Sequence, residues 1–270
     1  FIAEVYNPAQ YRDYVHRGGF DYLYDKVGLY DALRAVTRHE ASAQCLTRCW
    51  QQVDDIRTHM LHFLENHDEQ RLASDFFAGD ARRGRAPLLV SALMDYSPMM
   101  IYFGQELGER GMDAEGYSGR DGRTTIYDYW TVDTVSRWRN GGKFNDKKLT
   151  GDEKRLREFY ARVLALRESM PVLRSGHFYD LMYVNRHLHR QYVFVRQLEK
   201  QVLLVIANFD DQEANLSIHL PEEFFRFIGQ KGQTEVRALD LLSEEETQVD
   251  FTPDRPLCAT VLPWNGLVLS

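Results

Sequence analysis

The sequence predicts an α/β domain over residues 1–173 followed by an all-β domain over residues 174–270. In the first part, short apolar runs alternate with segments of helical periodicity, which is typical of strand–helix units around a parallel sheet. The runs are apolar throughout, as expected of strands buried on both faces. After Gly176, short β-rich runs follow one another with no helix between most of them, which indicates antiparallel pairing.

The elements of the α/β domain follow from periodicity. Four apolar runs predict its strands, over residues 1–6, 20–24, 61–64 and 99–103. Helical periodicity predicts helices over residues 29–59, 85–93 and 151–168. The last helix begins with a capping box of Thr150 and Glu153, and Pro171 ends it. The polar stretch 105–123 is too long for a plain connection and is interpreted as a functional loop or lid.

The all-β domain is predicted to be an antiparallel sandwich of roughly seven strands. Its runs are short and are bounded by turn residues. They cover residues 177–184, 191–198, 202–209, 214–220, 236–242, 259–262 and 266–269.

Composition narrows the class of partner. The chain carries 33 basic and 40 acidic residues, a net charge of −7, and no Lys/Arg cluster offsets it. A nucleic-acid-binding surface is therefore not expected, and a neutral partner is favoured. No apolar run reaches the roughly 18 residues of a membrane span, so none is predicted. Three cysteines, Cys45, Cys49 and Cys258, do not make a disulfide framework, so the redox compartment stays open.

Polar residues stand where each predicted strand ends. Parallel βα barrels carry their active sites at the carboxyl ends of the strands, so these residues are candidates for a catalytic rim. They are Glu4, Asp25, Asn66-His67-Asp68 and Gln105-Glu106. Glu4 and Asp68 form a candidate carboxylate pair, because glycoside hydrolysis needs an acid for the leaving oxygen and a carboxylate near the oxocarbenium charge.

A rival interpretation is a metal site built from His59, His62, His67 and Asp68, or the His-Asp dyad of metal-dependent phosphohydrolases. Two observations argue against it. In a strand, His62 and His67 have opposite parity and point to opposite faces. The phosphohydrolase dyad also belongs to an all-helical fold, which the alternation of strands and helices contradicts.

Five segments, in order along the chain, resemble motifs of the α-amylase family, glycoside hydrolase family 13. Phe63-Leu64-Glu65-Asn66-His67-Asp68 resembles the motif that ends the seventh barrel strand. The other four resemble the fifth-strand, sixth-strand and eighth-strand segments and the loop that follows. They are Ala3-Glu4-Val5, Gly19-Phe20-Asp21, Met100 to Glu106, and Asp121-Gly122-Arg123-Thr124-Thr125.

The resemblance implies roles for individual residues. Glu4 would be the general acid/base, and Asp68 would stabilise the transition state by accepting hydrogen bonds from sugar hydroxyls. His67 and Asn66 would bind the same sugar. Tyr6, Asn7 and Arg71 are further substrate-binding candidates, with Tyr6 placed to stack on the leaving-side glucose. The implied activity is retaining hydrolysis of α-1,4-glucan, as starch or maltooligosaccharides.

The resemblance also implies what this chain does not carry. It covers strands five to eight of a TIM (β/α)8 barrel plus the C-terminal sandwich, whereas a whole barrel takes about 250 residues. The nucleophilic Asp is expected upstream of Phe1, in an N-terminal half that would act as a partner. The chain alone is therefore expected to be inactive. A Ca²⁺ site is also expected in that half, and no metal ligands are predicted here.

Several alternatives stay open. Within the family, an α-glucosidase, a glucan transglycosylase and an isomerase share this half of the site. A non-catalytic homologue that serves as a binding or scaffold subunit is a second class, although such proteins lose the catalytic positions that are intact here. Localisation is undetermined, and a polymeric substrate favours secretion or the periplasm.

Overall fold

A computed structural model describes residues 1–113, 120–124 and 132–270. Its first sheet contains four parallel strands in the order β1-β2-β3-β4. They are β1 (Ile2–Ala3), β2 (Tyr22–Tyr24), β3 (Met60–Phe63) and β4 (Met99–Met100). The four predicted strands and their parallel pairing are confirmed. The ladders of β1, β2 and β4 are shorter than the apolar runs that predicted them, whereas β3 is as long as its run and begins one residue earlier.

Side chains alternate between the two faces of this sheet. Ala3, Leu23 and Met60 are buried in one apolar cluster, together with residues of the helices that cover this face. Ile2 and Tyr22 have the opposite parity and are 55% and 37% exposed. The sheet is therefore covered on one face, while the other face is open along β1 and β2.

Seven helices of the described ranges accompany this sheet. They are α1 (Tyr11–His16), α2 (Asp31–Thr37), α3 (Cys45–Val53), α4 (Arg85–Leu93), α5 (Asp133–Arg139), α6 (Gly151–Ser169) and α7 (Pro171–Ser175). The predictions for residues 85–93 and 151–168 are confirmed by α4 and α6. None of the helices in the described ranges is both long and apolar enough to cross a membrane.

The single helix predicted over residues 29–59 is wrong. A short π-helical turn (Lys26–Tyr30) leads into α2, and the chain then breaks before α3. His39 adopts a left-handed conformation with φ of 63°, and the Glu40 N–H bonds to the Ala35 carbonyl oxygen at 2.8 Å. The break contains no Gly or Pro, so the apolar periodicity continued through it unmarked.

The predicted capping box of α6 is confirmed. Thr150 Oγ1 accepts from the Glu153 N–H at 3.2 Å, and Glu153 Oε2 accepts from the Thr150 N–H at 2.8 Å. Arg137 of α5 donates its Nε–H to the same carboxylate at 3.0 Å. Burial raises the pKa of Glu153, but the Arg137 and Thr150 hydrogen bonds outweigh it, and the net effect lowers that pKa.

A charge-removing substitution, Glu153→Gln, should therefore destabilise the protein in a pH-dependent way. A carboxylate whose pKa is lowered on folding stabilises above its unfolded pKa, about 4.3, and loses that contribution as pH falls through the folded value. We expect the variant to lose about 1 kcal/mol at pH 7, since the pair is partly exposed, and much less at pH 3. Urea unfolding at both pH values measures this, with exposed Glu158→Gln as the control. Equal losses at both pH values would contradict it.

The C-terminal part is antiparallel, as predicted. One sheet has the order β12-β7-β6-β5, and two further pairs are β11-β8 and β10-β9. The strands are β5 (His177–Asp180), β6 (Gln191–Leu198), β7 (Gln201–Asn208), β8 (Ala214–Ile218), β9 (Gln233–Leu239), β10 (Glu246–Phe251), β11 (Leu257–Val261) and β12 (Gly266–Leu269). Sequence patterning missed β10, whose first residues are exposed and polar, and the short helix α8 (Glu222–Ile228).

The two parts share one apolar core, which includes Leu89 of α4 and Val205 of β7. At Gly266 of β12, a Cβ would collide with the Leu89 side chain and the Ile206 carbonyl, so only glycine permits this approach. Arg196 of β6 is buried and donates to the carbonyl oxygens of Leu93 (3.1 Å) and Met94 (2.9 Å) at the end of α4. The predicted domain boundary at residue 173 stays a prediction.

Candidate active site

The carboxyl ends of the parallel strands bring Glu4 and Asp68 to one edge of the sheet. Glu4 follows β1 directly, and Asp68 stands in the turn after β3; both are exposed. Tyr24, at the end of β2, lies between them in strand order. Burial raises the pKa of Tyr24, and the negative charges of Glu4 and Asp68 raise it further. The two carboxylates therefore lie close enough to Tyr24 for the charge of each to act on the same phenol.

Tyr6 is bonded to the candidate acid. Its hydroxyl donates to Glu4 Oε1, and this hydrogen bond is the first cause that raises the pKa of Tyr6 to about 12. Burial and the charges of Glu4, Glu69 and Asp68 also contribute. Tyr6 is 58% exposed, so its ring face remains accessible. The contact orients the Glu4 carboxyl group and puts an aromatic face beside it.

Asn66 shapes the turn that carries Asp68. It is buried, and its Oδ1 accepts from the backbone N–H groups of Asp68 (2.9 Å) and Glu69 (2.7 Å). His67 and Asp68 project outward from this turn, with His67 Nε2 3.4 Å from Asp68 Oδ2. The amide oxygen of Asn66 is thus engaged inside the protein, and the prediction that Asn66 binds sugar stays a prediction. The His67 side chain is 44% exposed, and its role in binding sugar also stays a prediction.

Arg71 does not reach the rim. Its side chain is fully buried below the turn, and Nη1 donates to Glu65 Oε2 and to the Phe103 carbonyl oxygen, both at 2.8 Å. Its Nε–H donates to Thr124 Oγ1 at 3.1 Å. The expectation that Arg71 contacts substrate is corrected: a guanidinium with these partners and no exposed surface acts as a buried support.

Two residues that support the rim were not among the sequence-based candidates. Buried Glu65 pairs with Arg71 and accepts from the Leu72 N–H at 2.8 Å. Arg123 donates its Nε–H to the Asp68 carbonyl oxygen at 2.5 Å, which holds the segment 120–124 against the turn. A charged residue following a buried apolar run was the available signal for Glu65. Arg123 belongs to the predicted motif Asp121 to Thr125, whose last residue, Thr125, lies outside the described residues. Residues 114–119 of the predicted lid also lie outside them.

The remaining rim candidates separate into exposed and inward-facing groups. Asn7 is exposed, and its side chain accepts from the Ala9 N–H at 3.1 Å. Gln105 is buried and donates to the Tyr160 hydroxyl at 3.1 Å. Asp25 is also buried, and its Oδ1 accepts from the Leu29 N–H at 2.9 Å. Gln105 and Asp25 therefore contribute to packing under the rim rather than to its surface.

The fold of this chain is similar to that of several solved structures. Proteins with this fold include the α-amylase of Geobacillus thermoleovorans complexed with acarbose (18% identity, TM-score 0.67) and AmyP complexed with maltose (16%, 0.66). A cyclomaltodextrinase also has this fold, with 17% sequence identity to this chain and a TM-score of 0.68. The chain has the α-amylase fold. This confirms, at the level of the fold, the resemblance seen in the motifs.

The alignments with these structures cover nearly all of this chain but only part of each matched chain. They cover 99%, 99% and 100% of this chain, but 52%, 54% and 40% of the Geobacillus α-amylase, AmyP and the cyclomaltodextrinase. The chain thus spans about half the length of the α-amylases that it matches. Neither a protein-family model nor a curated protein matches the sequence.

The rival metal interpretation finds no support in the α-amylase-like fold. Ring nitrogens of His59 and His62 bond to different backbone oxygens, those of Asp21 (2.8 Å) and Ser91 (2.9 Å), while His67 lies on the rim. Within the described ranges, no group of three or more His, Cys, Asp or Glu side chains could hold a metal ion. The four residues of the rival interpretation therefore do not form a metal site, and the Ca²⁺ site expected in the N-terminal half stays a prediction.

Proposed function

We propose that this chain supplies the general acid/base, Glu4, and the transition-state-stabilising carboxylate, Asp68, of a retaining α-glucan hydrolase. The observation that carries the proposal is the pairing of two exposed carboxylates at one edge of a parallel sheet that has the α-amylase fold. Their shared influence on Tyr24 supports a single site. Retaining glycoside hydrolysis uses carboxylates in these roles.

In the proposed reaction, Glu4 donates its proton to the glycosidic oxygen as the bond to the anomeric carbon breaks. Asp68 stabilises the positive charge that develops on the sugar, and His67 donates to the same sugar. A nucleophilic carboxylate forms the covalent glycosyl intermediate, and Glu4 then removes a proton from the attacking water. The Tyr6 hydroxyl occupies Glu4 Oε1, so Oε2 is the oxygen available for proton transfer.

We also propose that further barrel strands complete the catalytic unit and carry the nucleophile. The nucleophile must lie about 5–5.5 Å from the acid. Four strands do not close a barrel, and β1 and β4 are the edges of their sheet. The exposed apolar side chains of Ile2 and Tyr22 lie on the face that a closed barrel would bury. The chain alone should then bind sugar without hydrolysing it.

The substrate class proposed is α-1,4-glucan and its oligosaccharides. The solved structures with this fold include complexes with maltose, maltotriose and acarbose. An α-glucosidase, transglycosylase or isomerase would use the same half-site.

The proposal is tested on the full-length protein that contains this chain. Substituting Asp68→Asn should lower kcat/KM on maltoheptaose by about 10²- to 10³-fold, because the stabilising charge is lost at the developing cation. The matched control, Asp13→Asn, changes an exposed carboxylate of α1 and should leave the rate unchanged. Proton NMR of the first product should show the α-anomer.

Two outcomes would overturn this assignment. Full activity of Asp68→Asn would exclude Asp68 from the site. Absence of activity on every α-glucan in the unmodified protein, together with retained sugar binding, would favour the scaffold alternative.

A further inference from the structure

An aromatic cluster lies on the C-terminal part of the chain, on β5, the turn that follows it and α8. It comprises His177, Tyr179, Tyr183 and Phe227, here termed the aromatic platform. Tyr183 and Phe227 are 46% and 42% exposed. The ring of Tyr179 lies 5.0 Å from that of Phe227 and 6.2 Å from that of Tyr183, and His177 lies 6.0 Å from Phe227. In the described ranges, none of these ring contacts involves a residue of the candidate active site.

The local structure explains why these rings face outward together. His177 and Tyr179 share one parity on β5, an edge strand, while Phe178 and Asp180 have the other. Phe178 packs on Trp50 of α3, with ring centroids 5.2 Å apart. Phe227 lies at the flank of α8, whose core side carries Phe224 and Phe225.

The strand beneath the platform is fixed by Asp180. Its Oδ2 accepts from Thr47 Oγ1 (2.7 Å), Trp50 Nε1 (2.8 Å) and the Tyr192 hydroxyl (2.9 Å). Its Oδ1 accepts from the Met182 N–H at 2.7 Å, at the turn that carries Tyr183. The platform is therefore held in place before any ligand binds, which lowers the entropic cost of binding.

The chemistry of the platform suits a sugar chain better than a protein. The Tyr179 and Tyr183 hydroxyls are 2.7 Å apart and leave an amphipathic surface, with ring faces beside polar tips. Glu223 and Arg226 of α8, the helix that also carries Phe227, pair at 2.8 Å and offer an acceptor and planar donors for hydroxyl groups. A stable protein interface buries about 800 Å² per partner and needs an apolar centre that four rings do not supply.

We propose that the aromatic platform is a second, non-catalytic binding site for α-glucan chains. The ring faces of Tyr183 and Phe227 contact the apolar faces of successive glucose units, while Glu223 and Arg226 bond their hydroxyls. Only the choice of α-glucan as the ligand rests on the proposed function; the platform itself does not. A site of this kind keeps a polymeric substrate on the protein between cleavage events.

Affinity electrophoresis of the full-length protein in native gels with soluble starch tests the proposal. Mobility against starch concentration gives a dissociation constant, and dextran serves as the α-1,6-linked comparison. Tyr183→Ala and Phe227→Ala should each raise the constant for starch about tenfold, the scale of a truncated aromatic anchor. Asp68→Asn should still be retarded. The control Phe144→Ala removes a ring elsewhere that is 58% exposed, more than either platform ring, and should behave as the unmodified protein.

The outcomes separate the two proposals. Equal retardation of the unmodified protein and of both platform variants overturns the platform, as does a lack of retardation of the unmodified protein by starch. If Tyr183→Ala alone unfolds, which circular dichroism detects, Phe227→Ala decides. Failure of the proposed catalytic function would appear separately. In that case the unmodified protein would hydrolyse no α-glucan, yet starch would retard it and would not retard the platform variants.

Discussion

Replacing Glu4 with Gln in the full-length protein is expected to lower kcat on starch by about 10³-fold, within the range of general acid catalysis. Gln keeps the size of the side chain and an oxygen that accepts the Tyr6 hydrogen bond, so the geometry of the site is retained. It cannot donate a proton to the glycosidic oxygen or remove one from water. KM should change little, because binding of the ground state does not use the proton. Initial rates of reducing-sugar release measure the effect.

A substrate with a good leaving group provides the control for this variant. A dinitrophenyl maltoside needs little protonation as its bond breaks, so Glu4→Gln should impair formation of the glycosyl intermediate far less on it than on starch. The companion variant Tyr6→Phe removes the hydrogen bond and leaves the acid in place, so it should cost less than Glu4→Gln. Starch hydrolysis at the unmodified rate in Glu4→Gln would remove Glu4 from the role of acid.

Substituting Glu65→Ala is expected to lower the free energy of unfolding by about 3–5 kcal/mol, the usual result of leaving one partner of a buried ion pair uncompensated. The Glu65 and Arg71 side chains are 1% and 0% exposed, and their charged atoms lie 2.8 Å apart. Burial raises the pKa of Glu65, and the Arg71 charge opposes that effect. Without Glu65, the Arg71 guanidinium and the Leu72 N–H each lose a buried acceptor.

Urea unfolding of Glu65→Ala, Glu65→Gln and Glu213→Ala measures this contribution. Glu65→Gln keeps an acceptor for Arg71 and should cost less than Glu65→Ala. Glu213 is exposed, so its replacement should change the free energy of unfolding by less than about 0.5 kcal/mol. A loss below about 1 kcal/mol in Glu65→Ala would contradict the view that this pair supports the turn of Asn66 to Asp68.

Local pattern predicted the elements that carry the candidate site. Glu4 and Asp68 were identified because each follows an apolar run, and runs separated by helices imply parallel strands whose carboxyl ends meet at one edge. The capping box at Thr150 was also visible, because a cap involves residues close together in the chain. The helix predicted over residues 29–59 failed for the converse reason. The turn at His39 is stabilised partly by contact with the distant Phe209 carbonyl oxygen at 2.9 Å, which periodicity does not reveal.

The sequence by itself determined the four parallel strands, the antiparallel pairing of the C-terminal part and the positions of the two carboxylates, since these depend on short-range periodicity and on strand polarity. Only the tertiary structure decided which polar side chains near the rim face outward. Arg71 and Asn66 belong to the same stretch as His67 and Asp68, yet both are buried. Arg71 donates to Glu65 and Thr124, and Asn66 Oδ1 accepts from the Asp68 N–H. Burial of a polar side chain depends on partners that folding brings together, some of them far away in the sequence.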